Sequence, residues 1–169
     1  MNHETLQDLF AELSAQPYLT SNQIPQLSLY IDQILTLFSA GTKEEQALTK
    51  SMVNNYSKEK MLRPIKGKKY SREQILQILM ICRMKSVLSM EQIKMVTTSL
   101  MGEENCEESL ESILCLADRQ RSLTADFAAV LAEKLDVSDN AALVLQLCQL
   151  SDFFAQAARN VVDHNFHKE

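Results

Sequence analysis

Tryptophan is absent from this chain of 169 residues, and glycine and proline occur only three times each. So few glycines leave little for a phosphate-cradling loop, and no G-x-x-x-x-G-K-[ST], G-x-S-x-G or H-E-x-x-H pattern occurs. Cysteines 82, 106, 115 and 148 are scattered without a Cys-x-x-Cys pair. That spacing argues against a metal or redox motif and for reduced, buried, structural thiols; the closely spaced Cys106 and Cys115 are the one pair worth testing as a sensor. No apolar run approaches the ~20 residues that cross a bilayer, and the first residues lack a basic segment followed by an apolar core. The expectation is a soluble, cytoplasmic protein.

Catalytic constellations are equally scarce. His164 and His167 stand three apart in the last seven residues, where a frayed tail is the plainer reading. Glutamates 103, 104, 107, 108 and 111 lack the Glu-x-x-His partner of a carboxylate metal helix and read as a solvated face. Neither an enzyme nor a cofactor is expected.

What the chain has instead is helix-forming composition and uneven charge. Leu, Ala, Glu, Gln, Lys and Met dominate, so the expected fold is all-α. A chain of this length buries ~70% of its surface, enough for one domain or two small ones. Between residues 43 and 94 twelve Lys+Arg face five Asp+Glu, whereas residues 1–42 carry four acids and no base, and residues 95–169 carry thirteen acids against five bases. A net-acidic protein binds DNA poorly overall, but a local patch of Lys58, Lys60, Arg63, Lys66, Lys68, Lys69 and Arg72 can dock phosphates. The plain alternative is a solvated charged loop.

The basic block coincides with the most patterned stretch, Leu48 to Ile93. Thr49 caps a helix whose apolar positions Met52, Val53 and Tyr56 leave Lys50, Ser51, Asn54, Asn55 and Lys58 on another face, and Pro64 closes it. Lys66, Gly67, Lys68 and Lys69 make a compact basic turn. Ser71 with Gln74, and Ser89 with Gln92, are capping boxes opening two further helices. The order of helix, Tyr56, Leu62-x-Pro64, basic loop ending in Tyr70, long helix and Leu88-Ser89-x-x-x-Ile93 resembles the winged helix-turn-helix of MerR-type transcription regulators. That likeness covers about 45 residues. More closely, LYIDQ at Leu29 to Gln33, followed by LTKSMVNNYSKEKML and KKYSREQI, resembles a bacterial family designated domain of unknown function eighteen thirty-six.

The MerR likeness implies a DNA-binding transcription regulator. Its contacts would come from Thr49, Lys50, Ser51, Asn54, Asn55, Tyr56 and Lys58 in the major groove and from Lys66, Lys68, Lys69, Tyr70 and Arg72 at the wing. The alternative is a protein-interaction module that keeps the scaffold and binds no DNA. The chain departs from the MerR pattern in three places. About ten residues, Ser39 to Leu48, separate the two helices of the motif; the wing is short; and Asn54-Asn55-Tyr56 stands where Arg-Tyr-Tyr is usual.

The remainder reads as scaffold. Leu6, Leu9, Phe10 and Leu13 form a stripe ended by Pro17, and Ile31, Ile34, Leu35 and Phe38 mark a second helix from Leu27. Both are expected to pack on the winged helix, giving a domain over 1–102. Thr42 and Glu45 form a further capping box. Residues 103–169 would be a helical oligomerisation or sensing region of three helices. The first carries Leu110, Ile113, Leu114 and Ala117, the second Phe127, Ala128, Leu131, Ala132 and Leu135, and the third, from about Asp139, carries Leu143, Leu147, Leu150, Phe154 and Val161. Val144, Leu145, Phe153 and Val162 make the third face wide enough either for homodimerisation or for the interior of a bundle.

Overall fold

A computed structural model describes residues 1–39, 47–65, 67–102 and 104–166. The expected capping box of Thr42 and Glu45, and Lys66, Glu103 and His167, lie outside the described residues. The elements are helix α1 (His3–Ala15), a 3₁₀ turn (Ser21–Gln23), strand β1 (Leu29–Tyr30), and helices α2 (Ile31–Ser39) and α3 (Lys50–Lys58). Strand β2 (Lys69–Tyr70) follows, then α4 (Arg72–Met84), α5 (Met90–Met101), α6 (Cys106–Lys134) and α7 (Asn140–Asn165). The fold is mostly helical.

Side chains at the helix starts set these boundaries. Asn2 accepts from the Thr5 N–H at 2.7 Å, Thr49 from Met52 at 3.2 Å and Asp139 from Ala142 at 2.8 Å. Ser71 with Gln74 and Ser89 with Gln92 form complete capping boxes, each satisfying two otherwise orphaned donors. Helix α3 stops by another device than expected. It ends at Lys58, six residues before Pro64, because Lys60 adopts φ 58° and the Met61 N–H turns back to the Tyr56 carbonyl at 2.9 Å. That is a Schellman ending with lysine in the place glycine favours.

The two strands are too short to leave an alternating pattern, and by sequence Leu29 and Tyr30 fall inside an expected helix. They pair antiparallel instead, Leu29 opposite Tyr70 and Tyr30 opposite Lys69. Helix α2 consequently begins at Ile31 rather than Leu27.

Helix α4 is the centre of the larger core. Arg72 and every residue from Gln74 to Ile81 are buried, and a helix covered on all sides is an interior helix. Around it gather Ile34 and Phe38 of α2, Val53 and Tyr56 of α3, Tyr70 of β2, and Ile93 and Val96 of α5. This core also takes in Cys106, Leu110 and Leu114 of α6 and Val162 of α7, so it runs past residue 102. A second, smaller core joins Leu6 with Ala132, Leu135 and Leu143, flanked by Phe10, Leu147 and Leu150. Helix α1 therefore packs on α6 and not on the basic domain. Leu143, Leu147 and Leu150, which the sequence offers either to a second subunit or to a bundle interior, lie in or against this internal core.

The sequence suggested two helices between 103 and 135, where there is one of 29 residues. Nothing between Ala117 and Phe127 breaks a helix, since neither Gly nor Pro occurs there, and at ~1.5 Å per residue the rod is about 43 Å long.

Candidate nucleic-acid interface

Helix α3 and the basic loop hang from one core. Val53, Tyr56, Leu62 and Tyr70 are all buried in it, so the exposed faces on either side of the loop are held by shared packing. On α3 the exposed side chains are Lys50, Ser51, Asn54, Asn55 and Lys58, and Thr49, also exposed, caps the first turn. No acid lies in this helix. In the loop Gly67, with φ +83° and open space around its Cα, makes the turn, and Lys68 and Lys69 are exposed. The Lys69 ammonium stands 4.9 Å from the centre of the Tyr30 ring, along the strand pair.

The stretch between α3 and the loop is pinned by two glutamines of α4. Gln77, almost fully buried, accepts the Arg63 N–H at 3.0 Å, and the Gln74 amide donates to the carbonyls of Arg63 and Pro64 at 3.0 and 3.1 Å. Arg63 itself pairs with Glu73 and donates to the Met101 carbonyl at 3.1 Å. In the sequence Gln74 stands out only as the capping partner of Ser71 and Gln77 not at all, because these bonds join positions 10 to 14 residues apart.

Three expected contact residues sit elsewhere. Tyr56 and Tyr70 are 3% and 7% exposed, so their rings belong to the core and reach no groove. Burial, with Cys82 nearby, pushes the Tyr56 hydroxyl up to about 12, and burial raises Tyr70 as well. Arg72 is 5% exposed. Its guanidinium grips Glu111 bidentately, at 2.8 and 3.1 Å, and approaches Glu107 at 3.5 Å. Glu107 and Glu111, still partly solvated, thus also clasp α4 to α6, and they take Arg72 out of reach of phosphates. Arg63, held by Glu73 and Met101, leaves the expected patch for the same reason. A sequence shows the charges but not that residues 35 and 39 positions apart will meet.

A second polar knot, also unseen in the sequence, fixes the linker after α1. Asp118 of α6 accepts from the Tyr18 hydroxyl at 2.7 Å, from Ser21 N–H and Oγ at 3.1 and 2.9 Å, and from Arg83 of α4 at 2.5 Å. Burial alone would raise this carboxyl, but the donors from Tyr18, Ser21 and Arg83 outweigh it and hold it below its ordinary value. Arg121 lies 3.8 Å over the Tyr18 ring.

The cysteines differ among themselves. Cys106 is buried, Cys82 and Cys115 are half-buried and Cys148 is exposed, so the expectation of buried thiols fails at Cys148. Burial pushes Cys82 up to about 11 and raises Cys106 too, the reverse of what a reactive thiolate needs. Among the described residues no three His, Cys, Asp or Glu side chains gather in a metal-binding group.

The model of the family described as Domain of unknown function (DUF1836) matches residues 19–115, more than half of the chain, and the protein belongs to that family. The matched span runs from the linker before the 3₁₀ turn to the first third of α6. It includes the buried residues of the larger core except Val162, and the Arg72–Glu111 clasp, and leaves out α1, the distal part of α6 and all of α7. No match was found among curated proteins or among solved structures.

Proposed function

We propose that this protein binds duplex DNA as a transcription regulator, with α2 and α3 as a helix-turn-helix and the basic loop as a short wing. In this reading α3 enters the major groove and Lys68 and Lys69 rest on the phosphates beside it. The observation that carries the proposal is the acid-free exposed face of α3, with two lysines, two asparagines and a serine, mounted on the same core as the basic loop. Asparagine can pair bidentately with the adenine edge, while lysines supply sequence-independent attraction to phosphate. The β1–β2 pairing supports the same reading, because it ties the far side of the loop to the two residues just before α2 and gives the loop the anchored base a wing requires. The acidic excess of residues 95–169 would keep the rest of the chain out of the groove.

The test is fluorescence anisotropy of labelled random-sequence duplex with the full chain across a series of salt concentrations. Binding that weakens steeply as salt rises is expected, through release of counterions from the phosphates. An absence of binding at low salt would defeat the proposal. Selection from a random library would then give the preferred site.

A further inference from the structure

The smaller core leaves a cleft open beside it. Helix α1 runs antiparallel to α6, with His3 bonded to the Ala132 carbonyl at one end and Arg121 to the Gln16 carbonyl at the other. Helix α7 returns along α6, and Leu6, Ala132, Leu135 and Leu143 fill one end of the trough between the three helices. Further along, the trough widens into a cleft of about 520 Å³, within the ~300–1,000 Å³ of small-molecule sites. Its walls are apolar. Phe10 and Leu13 come from α1, Phe127 and Leu131 from α6, and Leu150 and Phe154 from α7. Leu13, Phe127 and Phe154 are 49%, 52% and 51% exposed, so about half of each ring or chain at the rim still meets water.

Polarity is confined to the other end. Ser14, Thr124 and Arg121 meet there, where α1 finishes, and Arg121 is the one charged side chain among the described residues that line the cleft. Arg63, Arg72 and Arg83 each close on a carboxylate, whereas no carboxylate of the described residues forms an ion pair with Arg121. Its guanidinium lies 3.8 Å from the centre of the Tyr18 ring and donates to the Gln16 carbonyl at 2.8 Å. Those contacts fix the group and leave further N–H donors for a ligand. Asp118, one turn earlier on α6, is already taken up by Arg83, Tyr18 and Ser21. We propose that this cleft binds a small apolar monocarboxylate, its acid group against Arg121 and its hydrocarbon between the three helices. Charge complementarity selects the acid, because a fixed cation without an ion pair stands at the polar end of a cleft that is otherwise uncharged. A cationic amphiphile would meet like charge there, and a neutral one would leave the guanidinium without its counterion. Helix α1, Arg121 and Thr124 lie outside the family span and outside the stretch that carries α3 and the basic loop, so the inference does not rest on the DNA-binding proposal.

Isothermal titration calorimetry of the full chain at neutral pH, without DNA, is the experiment, with decanoate, decanol and decyltrimethylammonium each kept below its micelle concentration. Decanoate should bind saturably and one to one, roughly tenfold or more tightly than decanol, with the cation weakest. Octanoate, shorter by two methylenes, should bind about tenfold more weakly than decanoate. Arg121→Gln should remove the preference for the acid and leave decanol binding as it was, which also shows that the cleft has kept its shape. Ala128→Phe, at a half-buried position in the wall, should fill the cleft and abolish both ligands at unchanged helical content. A wild type that takes up no decanoate overturns the proposal, and so does one that prefers decanol or the cation. Acid preference that survives Arg121→Gln, loss of decanol together with decanoate in that variant, or binding indifferent to Ala128→Phe overturns it as well. A parallel titration with phosphatidylglycerol vesicles separates a free acid from a membrane: binding to vesicles alone assigns the apolar rim to a lipid surface and ends the proposal.

Discussion

Arg72 and Glu111 close on each other through two hydrogen bonds, from opposite ends of the basic domain's boundary. The arginine is the first residue of α4, directly after the basic loop, and the glutamate lies on the second turn of α6. The pair makes the placement of the loop depend on a helix outside the stretch that resembles a winged helix. Glu111→Ala should leave a buried guanidinium with only Glu107 near it and destabilise the fold by about 1–3 kcal/mol, below the ~3–5 kcal/mol of a fully buried broken pair because the carboxylate is partly in water. Urea unfolding followed by circular dichroism measures it. Stability unchanged within error would make the clasp incidental.

Lys60 occupies a backbone conformation that disfavours side chains. Lys60→Gly should therefore stabilise the protein, by about 0.5–1 kcal/mol, while leaving the turn after α3 in place. Thermal melts would show it as a small upward shift in Tm.

Lys68 and Lys69 are the described lysines of the loop. Replacing both with glutamine should weaken binding to every duplex and lower the salt slope by roughly 0.9 for each phosphate that is no longer neutralised. A slope equal to that of the wild type would place the loop outside the interface.

In the DNA-binding proposal Asn54 and Asn55 differ in kind from these lysines, because an amide side chain can pair with a base edge. Alanine at the position that reads a base should relax sequence preference there by ~1–3 kcal/mol and leave the melting curve as it was. Loss of stability with preference intact would assign both asparagines to the fold.

Asp118 makes the protein acid-sensitive in a defined direction. Its folded pKa lies below the unfolded one, so its contribution to stability is present above the ordinary carboxylate value and is lost as pH falls through the lower, folded value. Asp118→Asn should lower stability at neutral pH and flatten this acid limb. A denaturation series from pH 7 down to pH 3 compares the two.

Much of this architecture is written locally. The capping side chains Thr49, Ser71 and Ser89 mark helix starts where they were expected, since a cap needs only its own next three residues. The failures at the candidate site are long-range. Tyr56 and Tyr70 look like contact residues until one knows that both point into the core, and Arg72 looks free until α6 arrives beside it. The two-residue strands carry no periodicity to detect. On α7 the stripe of Leu143, Leu147 and Leu150 is real, but which neighbour it meets is a matter of topology.

The β1–β2 register has a kinetic meaning. Its partners lie about forty residues apart, and closing a loop of that length costs entropy that two pairs of residues cannot recover until the helices between them have condensed. Helices α2 to α4 can form from near neighbours; the strand pair cannot. The basic loop should thus be the last piece of its domain to be set in place, which pulse-labelled hydrogen exchange during refolding would show.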